Sequence, residues 1–468
     1  MNINKIALTS VASILCMALI ACGGSASSNV STPPPGGGTP QNTFFALNMG
    51  PATPWPDSLG VKFGIWRSLG GRMRWSDLQP TKPSAPTSDP TDPSYNWKTL
   101  DTYFAAATSN GQQILFTAYY TPQWASQQPD ATCQENDTGG QTAGGCYPPI
   151  DVETGDNYWK DFLTALYAHV KANGQHISTY ECWNEPDIAS EYYSASPQAL
   201  SDLNTMCVDL RATISALDST AKFTTPAPTG GTNFGAQNGI TWMQTWISNG
   251  YANSADIIAF HGYVCTKTSG CTASSAELIA SAVVAPLQNM INTTAGTPNV
   301  SSKPLWDTEG SDDVGSEPIS DPDLHAAFLA RFSLLQQSAG VATFAYWGWN
   351  FGNGISLLDL TTNNLNPAGI AWQQLYTWTV GSTYTSGCAA TTGTVYTCAL
   401  NDSNGNPELI VWDSQNVNSC SNDICGSTSF TIPSGTSFTK CTDLAGNACT
   451  SGISGGAVNV GAKPVLLQ

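Results

Sequence analysis

The chain has 468 residues, 41% of them hydrophobic, enough for one large domain and a smaller one. A formal charge of -18 and a pI near 4.3 argue against nucleic acid or an anionic membrane surface as partner. Only 11% of residues are charged while 10% are aromatic, a balance that suits a neutral, stackable ligand such as sugar.

Lys5 supplies a positive n-region and Ile6 to Ala21 an apolar h-region that is short for a membrane span. Within it, Leu19-Ile20-Ala21-Cys22 resembles the lipobox of bacterial lipoproteins, whose last residue is lipidated and becomes the mature N-terminus. The alternative is an ordinary secretory peptide with Cys22 an incidental thiol. The resemblance makes residues 1–22 a signal, with Cys22 the lipidation site and the lipid the sole membrane contact. Gly23 stands where a retention Asp would, which implies the outer membrane or cell surface. Residues 23–42, with Pro33-Pro34-Pro35 and Gly36-Gly37-Gly38, read as a disordered tether.

Cysteine usage agrees with export. Of 14 cysteines, Cys16 would leave with the signal and Cys22 carry the lipid, leaving an even set. Near neighbours suggest Cys133 with Cys146, Cys265 with Cys271, Cys388 with Cys398, Cys420 with Cys425 and Cys441 with Cys449. Cys182 and Cys207 remain. If Trp183 and Glu185 face inward from a strand, Cys182 points outward. There it meets the apolar stripe Leu200, Leu203, Cys207, Leu210, Ile214, Leu217 of a helix over 198–219. The two either bridge or stay buried thiols.

Apolar runs then alternate with helical patterns, as in repeated βα units. Strands are predicted at 43–48, 61–68, 113–120, a fourth ending at Glu185, 222–226, 255–263, 304–309 and 341–349. The first two are joined by a Pro-rich loop with little room for a helix. Helices follow from Trp159, Phe162, Leu163, Leu166 and Val170, closed by Gly174, and from Leu324, Phe328, Phe332 and Leu335. Eight strands make an α/β fold, a (β/α)8 TIM barrel over residues 43–378. Residues 379–468 change texture to short alternating runs broken by Gly, Asn, Ser and Pro. They read as a small β-sandwich accessory domain, either a carbohydrate-binding module or a structural appendage.

Two carboxylic acids sit where strands should end. Pro186 cannot join a ladder and biases Glu185 away from helix, which leaves that side chain at the rim. Glu309 closes Leu305-Trp306-Asp307-Thr308-Glu309, and Gly310 lets the backbone turn. Paired carboxyls across one mouth are the machinery of glycoside hydrolysis. The long loop 121–156 and the Cys265–Cys271 staple would shape a cleft on the same face. No cofactor or metal is called for: His169, His176, His261 and His325 lack ligand spacing.

Trp183-Asn184-Glu185-Pro186, His261-Gly262-Tyr263, Glu309 and Trp347-Gly348-Trp349, in this strand order, resemble the clan A glycoside hydrolases. Phe63-Gly64-Ile65-Trp66-Arg67, Trp75-Ser76-Asp77-Leu78-Gln79-Pro80 and Thr121-Pro122-Gln123-Trp124-Ala125 are similar to the family 39 and family 5 branches. The resemblance implies a retaining O-glycosyl hydrolase acting on a β-linked poly- or oligosaccharide through a glycosyl-enzyme intermediate. It makes Glu185 the acid/base and Glu309 the nucleophile, and it implies that Asn184 binds a sugar 2-hydroxyl. Simple alternation points Asn184 away from the cleft, so the strand end must bulge or turn. Arg67 pairs with either Glu309 or Asp307, the latter expected one layer deeper on the same strand face. Tyr263 would bond the nucleophile with His261 behind it. Of Trp347 and Trp349, one would floor the sugar and the other fill the barrel. Tyr119, Tyr120 and Trp124 are candidates for flanking subsites. The chain is expected to be a monomer. The competing reading is a surface glycan-binding lipoprotein on an inactive barrel.

Overall fold

A computed structural model describes residues 38–468 apart from 50–53, 70–72, 135–140, 231–237, 266–269, 295–298, 313–317, 353 and 416. The signal, Cys22 and nearly all of the tether lie outside the described residues. Among the described residues, no helix is long and apolar enough to cross a membrane.

Eight parallel strands form the centre: β1 (Phe45–Asn48), β2 (Ile65–Arg67), β3 (Gln113–Ala118), β4 (Thr179–Cys182), β5 (Lys222–Thr224), β6 (Ile258–His261), β7 (Leu305–Gly310) and β8 (Val341–Trp347). They pair in the order β5-β4-β3-β2-β1-β8-β7-β6. A parallel bridge from Thr224 to Ile257 closes β5 on β6, so the eight-strand expectation holds. Except for β7, which is as long as its predicted run and ends one residue later, the strands are shorter than their apolar runs, because the runs continue into loop residues that bury side chains without joining the ladder.

Among the described residues, seven helices of nine or more residues follow β2 to β8, besides a single turn at Trp75–Leu78: α1 (Lys98–Ser109), α2 (Asn157–Ala172), α3 (Pro197–Leu217), α4 (Gly239–Ser248), α5 (Ala285–Thr293), α6 (Pro322–Ser338) and α7 (Pro367–Thr379). Between β1 and β2 only a 3₁₀ turn, Pro56–Leu59, fits, as the proline content predicts. Three helices start on the same device. Ser196, Asp321 and Asn366 each accept a first-turn N–H from the cap position, and a proline follows where no N–H is needed.

Inside the barrel, Ala46, Ile65, Leu115 and Ala345 pack together with Trp306 over them. Outside, the larger apolar side chains meet the helices. Cys182 points outward and bridges Cys207 on α3, and the five near-neighbour pairs are also bonded. The α3 stripe is buried except at its end, where Leu217 is exposed.

Beyond the barrel, β9 (Thr383–Thr392), β10 (Val395–Asn401), β11 (Pro407–Asp413), β13 (Cys441–Thr442) and β15 (Val465–Leu467) form one antiparallel sheet in the order β9-β10-β11-β15-β13. A second pair, β12 (Thr428–Thr431) with β14 (Ala457–Val460), packs on it. Strand period decides the layering. Leu409 and Val411 turn toward the small pair, whereas Ile410 and Trp412 turn toward the barrel and share its core. Buried Arg331 of α6 fixes that contact. It donates to Glu277 and to the carbonyls of Ala273 and Ala462, and Trp412 Nε1 donates to the same Glu277. Among the described residues of these sheets and their loops, Tyr396 and Phe438 are half-buried aromatics, and Tyr396 stacks on Trp412.

The chain enters at the opposite end from the strands' carboxyl termini. Gly38 to Gln41 lie beside Gln337, Gly340 and Val341, and the Pro40 carbonyl accepts from Gly381 N–H.

Candidate active site

Each candidate polar group stands at or just past the carboxyl end of a strand: Asn48 (β1), Arg67 (β2), Glu185 (after β4), His261 and Tyr263 (β6), Glu309 (β7) and Trp347 (β8). In a parallel barrel these ends share one face, so residues far apart in sequence converge.

The strand end at β4 solves the Asn184 problem. Thr179 and Glu181 face inward and Tyr180 and Cys182 outward, but Trp183 has φ 73° and Glu185 φ 39°, left-handed values that reverse the simple alternation. The ladder survives through Trp183 N–H to the Ala118 carbonyl at 3.1 Å and Glu185 N–H to the Ala227 carbonyl at 2.9 Å. As a result Asn184 turns inward and Trp183 does not face the barrel interior. Its ring packs on Tyr120 and Tyr192, and its Nε1 donates to the Glu191 carbonyl.

Arg67 is the hub. Its Nη1 donates to Glu309 Oε2 at 2.7 Å, its Nε to Glu181 Oε2 at 2.9 Å and its Nη2 to Asn184 Oδ1 at 3.0 Å. Burial opposes its charge, yet Glu181 and Glu309 hold the guanidinium above its ordinary value. Arg67 therefore pairs with Glu309, but not with Asp307. Register explains why: Asp307 is opposite Phe260 and Glu309 opposite His261, with Thr308 the extra residue of a bulge. The bulge turns Asp307 to the outside of the barrel, toward Gln336 of α6, and Glu309 to the inside.

Glu309 also accepts from Tyr263 Oη at 2.7 Å. Burial raises its pKa and Glu185 adds to that, while Arg67 and Tyr263 pull it back. Glu185 Oε1 meets His261 Nδ1 at 2.8 Å. His261 Nε2 faces Arg67 Nη2 at 3.3 Å, and a guanidinium can only donate, so Nε2 accepts and the ring proton sits on Nδ1, donating to Glu185. Burial pushes the His261 pKa down to about 4, which keeps the ring neutral. Glu185, His261 and Glu309 each bring a ligand-type atom within 4.8 Å of the others. Such a cluster has the spacing of a metal site, but the Arg67 cation already holds Glu309 and opposes a second positive charge.

Three supporting residues escape sequence reasoning. Glu181 shares Arg67 and accepts from Thr117 Oγ1 at 2.7 Å. Asn48 donates to the Thr308 and Ala345 carbonyls, tying β1 to β7 and β8. Asp187 accepts from Thr229 N–H and Oγ1, pinning the β4 loop to the β5 loop, and burial raises it to about 6. Inward alternation from Cys182 would have found Glu181; nothing local marks the others.

The aromatic candidates divide. Trp347 is half-buried at the end of β8, stacked on Phe351 with centroids 4.2 Å apart, and the Trp347–Gly348 peptide is cis. Trp349 is fully buried, its Nε1 donating to the Pro54 carbonyl, and does not reach the mouth. Tyr120 is also fully buried beneath Trp183, and Tyr119 is buried beside it, so neither is a subsite wall. Trp124 is half-buried among Trp75, Tyr158 and the Gln79 carbonyl, apart from the glutamates.

Residues 154–372 match the family model described as the glycosyl hydrolase catalytic core, a span holding both glutamates and β4 to β8. The fold is shared with several solved structures. These include a glycoside hydrolase family 30 subfamily 8 xylanase from Clostridium acetobutylicum (TM-score 0.56, 14% identity, 92% of this chain and 97% of that one). A monomeric beta-xylosidase from Caulobacter crescentus gives TM-score 0.59 at 14% identity, over 92% of this chain and 97% of that one. A family 44 xyloglucanase from Paenibacillus polymyxa gives 0.55 at 11%, over 92% and 97%. The sequence matches no curated protein.

Proposed function

We propose that this protein is a retaining glycoside hydrolase of β-linked poly- or oligosaccharides, with Glu309 the nucleophile and Glu185 the acid/base. One observation carries it: Glu185 and Glu309 bring carboxyl oxygens within 4.8 Å of each other across the barrel mouth. Retaining enzymes hold their carboxyls about 5 Å apart, whereas inverting ones need roughly 6.5–9.5 Å to admit a water.

The two acids have different surroundings. Glu309 accepts from the Arg67 cation and from Tyr263, whereas the donor to Glu185 is the neutral His261; the cation is what favours the ionised form that a nucleophile requires. Its oxygen attacks the anomeric carbon as the glycosidic bond breaks, and Glu185 gives its proton to the leaving oxygen. In the second half Glu185 takes a proton from water, which displaces Glu309 from the sugar. Neutral His261 keeps Glu185 in place without adding charge. Asn184 offers its amide NH₂ to the sugar while its oxygen is held by Arg67, and Trp347 supplies an apolar face.

The names of the structural neighbours put β-xylosides and β-glucans first in a substrate panel. The test is turnover of aryl β-glycosides and β-linked polysaccharides by residues 38–468, beside Glu309→Gln. Turnover by the parent and not by the variant is expected, as is attachment of a 2-fluoro glycoside to Glu309. Tight glycan binding with equal, negligible turnover would establish the inactive binder instead. The lipobox reading adds that the enzyme is anchored by Cys22 at the outer membrane or cell surface, and radiolabelled palmitate incorporation lost in Cys22→Ser tests it.

A further inference from the structure

We propose that Asp307 is a positioning residue: its carboxyl, wedged between Gly262 and Gly310 behind the mouth, sets the spacing of β6 and β7 from which His261, Tyr263 and Glu309 project. One N–H carries the link. Gly262 N–H donates to the Glu309 carbonyl at 2.8 Å and also to Asp307 Oδ1 at 2.8 Å. The same carboxyl lies against both glycines so closely that a Cβ on Gly262 would fall 2.1 Å from Oδ2, and one on Gly310 3.0 Å from it. Those glycines adjoin His261 and Tyr263 on one strand and Glu309 on the next. Asp307 thus packs beside the Thr308 bulge, at the point where the β6–β7 register shifts.

Packing alone does not call for an acid here. The surrounding layer is apolar, with Phe344 and Phe332 against each other, and an unbonded polar group in such a layer costs about 1–3 kcal/mol. Asp307 is fully buried beside the buried amide of Gln336, and neither its Oδ2 nor that amide makes a hydrogen bond of ordinary geometry. Burial holds Asp307 protonated well above the usual carboxylate range, against the pull of Gly262 and Gln336. The neutral acid accepts from Gly262 and places no second negative charge behind Glu309.

The test compares Asp307→Asn, which keeps an acceptor for Gly262 and an uncharged polar group beside Gln336, with Asp307→Leu, which keeps the branched outline, adds bulk and has no polar atom. The asparagine variant is expected within threefold of wild type in kcat with an unchanged pH profile. The leucine variant is expected to lose about tenfold or more in kcat with KM within about twofold, and its acid limb moves up as Tyr263 withdraws from Glu309. Asp307→Ser, too short to reach Gly262 and unable to overpack, gives the same readouts should leucine prevent folding. Wild-type kcat and pH profile in Leu and Ser variants overturn the proposal, as does an asparagine variant as impaired as leucine. The kinetic arm rests on the glycosidase reading. If wild type turns over no glycoside, that reading fails separately, and crystal structures still decide the role of Asp307. The Tyr263 Oη to Glu309 Oε1 separation of 2.7 Å must open in Leu or Ser and not in Asn; no change in any variant refutes positioning.

Discussion

Arg67→Met is the sharpest probe of the electrostatics. Arg67 is fully buried between Glu181, also fully buried, and Glu309. At about 4 Å between charge centres and an effective dielectric of 20, its attraction to Glu309 is roughly 4 kcal/mol, equivalent to about three pH units of carboxyl titration. Relaxation and solvent entry reduce this, so an upward move of at least about one pH unit in the acid limb of kcat/KM is expected. The sign follows from the proton: the cation favours ionised Glu309, and without it a higher pH is needed to ionise the proposed nucleophile. Two buried carboxylates lose their partner as well, costing about 3–5 kcal/mol of stability. The reciprocal variant, Glu181→Gln, releases Arg67 to Glu309 and moves the same limb down. The assay is a pH series of kcat/KM on an aryl β-glycoside, with urea unfolding alongside. Unmoved limbs in both variants, or movement in the same direction, would refute this division of the Arg67 charge.

Tyr263→Phe removes a bond to a charged acceptor worth about 1.5–3 kcal/mol, so kcat/KM drops by roughly ten- to hundredfold and the acid limb again rises. Glu185→Gln slows substrates with poor leaving groups by about 10²–10⁴-fold, spares activated aryl glycosides in the first step, and is rescued by azide as a β-glycosyl azide. Replacing Cys182 and Cys207 with serine opens a bridge 25 residues apart and costs about 3 kcal/mol, read by urea unfolding at unchanged KM. Truncation at Thr379 strips Ile410, Trp412 and Ala462 from the shared core and leaves Arg331 without part of its cage; calorimetry is expected to show no cooperative barrel transition.

The barrel was legible because its signals are local. Periodic apolar runs and Gly174 after α2 each specify an element from adjacent residues. Cys182 and Cys207 met because both the two-residue and the 3.6-residue periods could be phased. What escaped depends on departures from those periods. Left-handed backbone at Trp183 and Glu185 turned Asn184 inward, and one extra residue at Thr308 sent Asp307 outward. Neither departure leaves a mark in composition. Glu181 lies within a strand, with no glycine or proline beside it to mark a strand end. The aromatic candidates were overestimated because the pattern that places a ring on the inner face cannot say whether a loop later covers it, as happens to Tyr120 and Trp349.

The entry of the polypeptide at Gly38, on the floor of the barrel and beside Gly340, has a practical outcome. Any solid support or leash joined ahead of that point holds the molecule by its underside and leaves the carboxylates directed outward. Beads coupled through the amino terminus should therefore retain access to long, insoluble glycan, whereas coupling through the loops around Trp347 should block it.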